Sequence, residues 1–142
     1  MEEIQKVLKR FGCSSFGHMM RYDKGELVVQ FEFHGTPVSI KASLNGYAAA
    51  WLRENPFSSY RKVGRTEYEK KAKDIAGVAV YSILRDWIKG QVTAVDTGIL
   101  SFEGAFLGQI LLPTGKTVLE TAKAQKLLPA PEEKVVDLGR KK

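Results

Sequence analysis

The sequence predicts an α+β fold: an N-terminal helix, a three-stranded antiparallel meander, and a helical C-terminal half with one long central helix. Two periodicities and the residues between them carry this expectation. Apolar side chains take alternate positions in the runs from Phe16 to Ala42, which is the strand period, and recur at three and four residues from Ala72 to Val95, which is the helix period. Glycine, proline and asparagine fall between the runs, where the chain must turn.

Ile4, Val7, Leu8 and Phe11 make residues 2–11 an amphipathic helix that Gly12 stops. Phe16, His18, Met20 and Tyr22 alternate as a first strand, and Asp23-Lys24-Gly25 turns the chain. In the second strand Leu27, Val29, Phe31 and Phe33 share one face while Glu26, Gln30 and Glu32 share the other, so one face is expected to meet the core and one the solvent. His34-Gly35 offers a tight hairpin connection to a third strand, Pro37 to Ala42. Ser43 or Asn45 caps a helix that runs to about Glu54 before Asn55-Pro56.

Thr66-Glu67-Tyr68-Glu69 has the form of a capping box and is expected to open the long helix, whose apolar positions include Ala72, Ala76, Val80, Ile83, Leu84, Trp87, Ile88 and Val92. Trp51 and Trp87 sit among apolar helical neighbours and are expected to anchor the core. Ser101 caps a short helix through Phe102, Phe106, Leu107 and Ile110, which Pro113-Thr114-Gly115 breaks. A second capping box, Thr117-Val118-Leu119-Glu120, opens a last helix to about Lys126. Residues 1–126 thus form a single domain. Residues 127–142 carry two prolines and mixed charge and are expected to be a flexible tail, with Val135, Val136 and Leu138 as its means of docking.

Charge is the second source of information. The chain carries a net +6, and Arg53 to Lys73 holds +4 of it, from seven Lys/Arg against three Glu. Phe57 and Tyr60 lie in the same stretch. Cations beside aromatic faces suit phosphate contact with base stacking, so Arg53, Phe57, Tyr60, Arg61, Lys62, Arg65 and Lys70 are the candidate contacts for nucleic acid or another acidic partner. The competing reading is a solvated helix start laced by the i,i+4 pairs Glu67 with Lys71 and Glu69 with Lys73.

Other chemistries find little material. Gly115-Lys116-Thr117 echoes a phosphate loop, but the motif needs glycine where Ile110 stands. Cys13 is the only cysteine, which rules out an internal disulfide and a cysteine-rich zinc module, and only His18 and His34 add imidazoles. Glu26 and Glu32 share a strand face but read as solvated polar residues. No cofactor, metal or catalytic residue is expected. Acidic residues open the N-terminal helix and no apolar run spans a bilayer, so the expectation is a cytoplasmic protein without a membrane partner.

Ile83-Leu84-Arg85-Asp86-Trp87-Ile88-Lys89-Gly90-Gln91, then Ala94 to Ile99, Ser101-Phe102-Glu103 and Phe106-Leu107, resemble small uncharacterised proteins of phages and prophages. The resemblance implies no activity or catalytic residues. It implies a bacterial cytoplasm, where an accessory protein acts on nucleic acid or a nucleoprotein, or inhibits a host defence such as a CRISPR effector.

Overall fold

A computed structural model describes residues 1–60 and 62–130 of the 142. The chain runs α1 (Glu2–Phe11), β1 (Cys13–Arg21), β2 (Glu26–Phe33), β3 (Thr36–Ser43), α2 (Leu44–Glu54), α3 (Arg65–Asp96), α4 (Phe102–Phe106), a 3₁₀ turn (Leu107–Gln109) and α5 (Val118–Ala124). This is the α+β architecture the periodicities imply. Arg61 and residues 131–142, with Val135, Val136 and Leu138, lie outside the described residues.

The strands form an antiparallel sheet in the order β1-β2-β3. His34 (φ 50°) and Gly35 (φ 81°) both take the left-handed backbone that a two-residue hairpin of this twist requires, so histidine stands where asparagine is commoner. Phe31 faces Phe16 on one side and Val38 on the other, and Val29 faces His18 and Ile40. That register puts Leu27, Val29, Phe31, Val38 and Ile40 on one buried face, against Ile4 and Leu8 of α1, Leu84, Ile88 and Val92 of α3, and Phe106 of α4. Phe33 extends the core at its edge, stacked with His34 at 4.0 Å, Phe11 at 4.3 Å and Phe102 at 4.9 Å.

The opposite sheet face is exposed at Gln30 and Glu32, as expected, but partly covered towards β3. Ser39 is 2% and Val28 5% exposed, and the α5 end of the chain lies over the β3 side, where Lys41 Nζ meets Glu120 at 2.5 Å. Ile110 also forms a single antiparallel bridge with Val38, so this segment guards the β3 edge instead of prolonging α4 as its apolar pattern suggests. Backbone pairing to an open edge outweighs helical spacing in a segment too short to hold a helix alone.

Helix α3 spans about 48 Å at 1.5 Å per residue. Its buried residues, Tyr68, Ala72, Ala76, Val80, Leu84, Ile88 and Val92, come every fourth position. Each step of four overshoots a full turn by about 40°, so the buried stripe winds around the helix. Ala72 and Ala76 therefore face Ala48 of α2, with Tyr47, Trp51 and Leu52 around them, while the later residues of the stripe face the sheet. Ile83 falls off the stripe and is 57% exposed. Trp87 is 37% exposed and meets the core at Phe106, the two rings perpendicular with centroids 5.8 Å apart, so it borders the core instead of anchoring it.

Three caps follow the sequence. Ser43 accepts the Gly46 amide, Ser101 the Gly104 amide, and Thr117 with Glu120 completes a reciprocal box. The box expected at Thr66 does not form. Gly64 is the N-cap of α3, its carbonyl accepting the Tyr68 amide at 2.9 Å, and Thr66 is already inside the helix.

The β1–β2 turn is fastened to α2. The Gly25 carbonyl accepts the Leu44 amide at 2.7 Å and the Asn45 amide at 3.2 Å, and Asn45 Nδ2 donates to the Lys24 carbonyl at 3.3 Å. Gly25 has φ +60°, and a Cβ there would come within 2.2 Å of Asn45 Nδ2, so both backbone and space demand glycine.

Candidate functional site

The basic stretch folds as the end of α2, a connecting loop and the first turns of α3. Asn55 closes α2 twice over, its amide donating to the Trp51 carbonyl at 2.8 Å and its Nδ2 to the same oxygen at 3.0 Å. Across the loop, Tyr68 is 1% exposed and its hydroxyl donates to the Asn55 carbonyl at 2.6 Å. Trp51 lies 5.5 Å and Phe57 5.6 Å from the Tyr68 ring, centroid to centroid. Tyr68 is thus the pin that holds loop, α2 and α3 together.

This arrangement divides the candidate residues. Phe57 is half-buried against Tyr68, and the Arg65 guanidinium lies 4.9 Å over its ring. Its faces serve the fold and the cation, and neither ring nor guanidinium is free in the way their place in the sequence implies. Tyr60 is 95% exposed, held at its backbone by an N–H donated to Ser58 Oγ at 3.2 Å. It is the one ring of the pair open to a ligand.

Beside Tyr60 lies an open basin of about 520 Å³ lined by Tyr60, Lys62, Val63, Glu67, Tyr68, Lys70, Lys71 and Asp74. Of the residues named from sequence, the basin unites Tyr60, Lys62 and Lys70. Arg53 on the last turn of α2 and Arg65 are exposed but do not line it, and Arg61 lies outside the described residues. Lys71 and Asp74 are additions. The signal for them is in the sequence, since positions 67, 70, 71 and 74 fall on one helical face, but the spacing of Lys71 from Glu67 fits an ion pair equally well.

That pair is not made. The ion pairs among the described residues are Arg21 with Glu26, Lys41 with Glu120, and Arg85 with Glu3 and Asp86. Neither Glu67 with Lys71 nor Glu69 with Lys73 is within range, so the lysines of this face keep their charge available to solvent and ligand. The positive end of the α3 dipole points the same way.

The remaining candidates for chemistry are occupied locally. Burial pushes the Cys13 thiol up to about 11, which leaves it protonated and unreactive at neutral pH. Glu32 accepts from Ser15 at 3.2 Å, Glu26 pairs with Arg21 at 3.6 Å, and Gln30 donates to Ser39 at 3.2 Å. Gly115 turns the chain at φ +91° and Thr117 caps α5, so the partial phosphate motif is a turn and a cap. Among the described residues no group of His, Cys, Asp and Glu is placed to hold a metal, and no helix is long and apolar enough to cross a membrane. Neither protein-family models, nor curated proteins, nor solved structures match the chain.

Proposed function

We propose that this protein is a non-catalytic, phage-type accessory protein that binds nucleic acid, free or within a nucleoprotein, through the basin at the start of α3. The observation that carries the reading is that Lys62, Lys70 and Lys71, around the exposed Tyr60 ring, form no ion pair among the described residues. Ammonium groups without carboxylate partners attract a phosphate chain, and a solvent-facing phenol offers a base its face. Arg53 and Arg65, exposed but outside the basin's lining, add to the positive charge of the stretch. The phage setting rests on the sequence resemblance alone.

The basin also holds Glu67 and Asp74. Mixed signs on one helical face suit a charged protein surface too, so the second reading is an inhibitor of a host defence protein that docks on the same residues. Binding to a labelled oligonucleotide across a salt series distinguishes the two. Changing Lys62, Lys70 and Lys71 together to Ala reduces the slope of log K against log salt by up to about two units on a single strand, at about 0.7 for each phosphate no longer neutralised. A chain that binds no nucleic acid at low salt defeats the first reading and leaves the second.

A further inference from the structure

The two edges of the sheet are treated differently. The β3 edge carries Pro37 and Lys41 and is bridged by Ile110, with the Leu111 amide donating to the Pro37 carbonyl at 2.8 Å. These are three of the usual guards against edge-to-edge pairing. Over its second half the β1 edge has only the charge of Arg21 at its end. From Phe16 to Arg21 it contains no proline and no lysine, its register irregularity is confined to Cys13/Ser15, and β2 is its only strand neighbour among the described residues. Met19 is 59% exposed there, and His18, Met20 and Tyr22 are exposed as well.

We propose that β1 pairs antiparallel with β1 of a second copy of this chain, about a two-fold axis at His18, joining two sheets into one of six strands. The proposal is independent of the nucleic-acid reading. Its register is set by the side chains. A dyad normal to the sheet keeps both apolar faces on one side, so it must pass through a residue, and centring it on His18 pairs Phe16 with Met20, Gly17 with Met19, and Ser15 with Arg21 between copies.

Each of these pairs answers a feature of the monomer. Gly17 has nothing within 4 Å of where a Cβ would stand and borders a cleft of about 370 Å³, which gives the long Met19 of the other copy somewhere to lie. Phe16, at the end of the strand that α1 covers, comes opposite Met20, at the end left bare beside a groove of about 480 Å³ whose lining includes Tyr22, Leu44 and Val78 together with Lys73 and Asp74. The covered half of one copy thus closes the uncovered half of the other. Arg21, which pairs with Glu26 of its own copy at 3.6 Å, falls across Ser15 on the same face as Glu32, so each guanidinium comes between two carboxylates, twice about the axis. A heterologous peptide gains the backbone bonds of this edge but none of these matches by necessity.

Sedimentation of the full chain, in nuclease-treated samples at high salt, gives the first test. The expected mass at high concentration is twice the 15.8 kDa of the chain, and Met20→Lys returns it to the monomer value with an unchanged circular dichroism spectrum. A trap fixes the register. In a Cys13→Ala background, His18→Cys forms an intermolecular disulfide on mild oxidation, since residues paired on the dyad stand about 4.5–5.5 Å apart at Cα. Ser15→Cys does not, because the two copies of that position lie about 20 Å apart along the strands. A monomer at every concentration overturns the proposal. So does a dimer that survives Met20→Lys, or one trapped through Ser15→Cys and not through His18→Cys.

Discussion

At the scale of single residues, the structure separates two aromatic side chains that the sequence could only group. Phe57 and Tyr60 lie three apart in one loop without periodicity, and nothing in their neighbours tells which turns inward. The answer comes from Tyr68, whose ring takes Phe57 as a neighbour and whose hydroxyl closes on Asn55. Tyr60→Ala is therefore expected to weaken single-strand binding by roughly 1–3 kcal/mol while the melting curve stays in place. Phe57→Ala is expected to do the reverse, lowering stability by about 2 kcal/mol, less than a fully buried ring because this one is half-buried. Paired anisotropy and thermal melts read both. Trp87→Ala follows the same logic: with the side chain 37% exposed it costs less than the roughly 3–5 kcal/mol of a fully buried large aromatic, measured by urea unfolding.

At the scale of elements, the docking of α5 is held by charge at its first turn. The Glu120 carboxyl lies below its ordinary value of 4.5, first because Lys41 donates to it and then because the Thr117 amide does. A carboxylate with a depressed value stabilises the folded state at neutral pH, and the contribution fades as pH falls below about 4.5 and protonates the group. The acid limb of stability against pH is expected to flatten in Glu120→Gln, with the difference from wild type vanishing at the lowest pH. This box was legible in the sequence because Thr117 and Glu120 have the right spacing and nothing competes for them. Thr66 and Glu69 have that spacing too, but the burial of Tyr68 sets where α3 begins, and a tertiary contact of that kind leaves no local mark.

At the scale of the whole molecule, order and type of the elements were legible, whereas their faces were less so. Strand alternation located the sheet and its buried side because every second residue of β2 is apolar. The long helix was equally plain, but its sequence shows a broad apolar stripe, and only the packing of α2 on one half and of the sheet on the other decides which residues are covered, leaving Ile83 outside. The guard that Ile110 places on β3 was hidden because one bridge has no period. The basin was half legible: the cations were visible in composition, but freedom from ion pairing depends on side-chain geometry. Binding strength across a salt series is accordingly the property of the whole surface, and the triple lysine change is expected to move it without shifting the melting midpoint by more than a few degrees.

The clasp between Gly25 and the start of α2 has a consequence for the order of events in time. The first amides of a helix have no partner within it. Here Leu44 and Asn45 find theirs on a carbonyl that is in place only once β1 and β2 have turned back on each other. An 11-residue helix is too short to persist alone in water, so α2 waits for the hairpin, and the contacts of Ala72 and Ala76 with α2 form only after it. Gly25→Ala is expected to destabilise the chain by about 1–3 kcal/mol, with most of the change in the folding rate and little in the unfolding rate. Stopped-flow refolding measures the division, and a change confined to unfolding would mean that the clasp closes last.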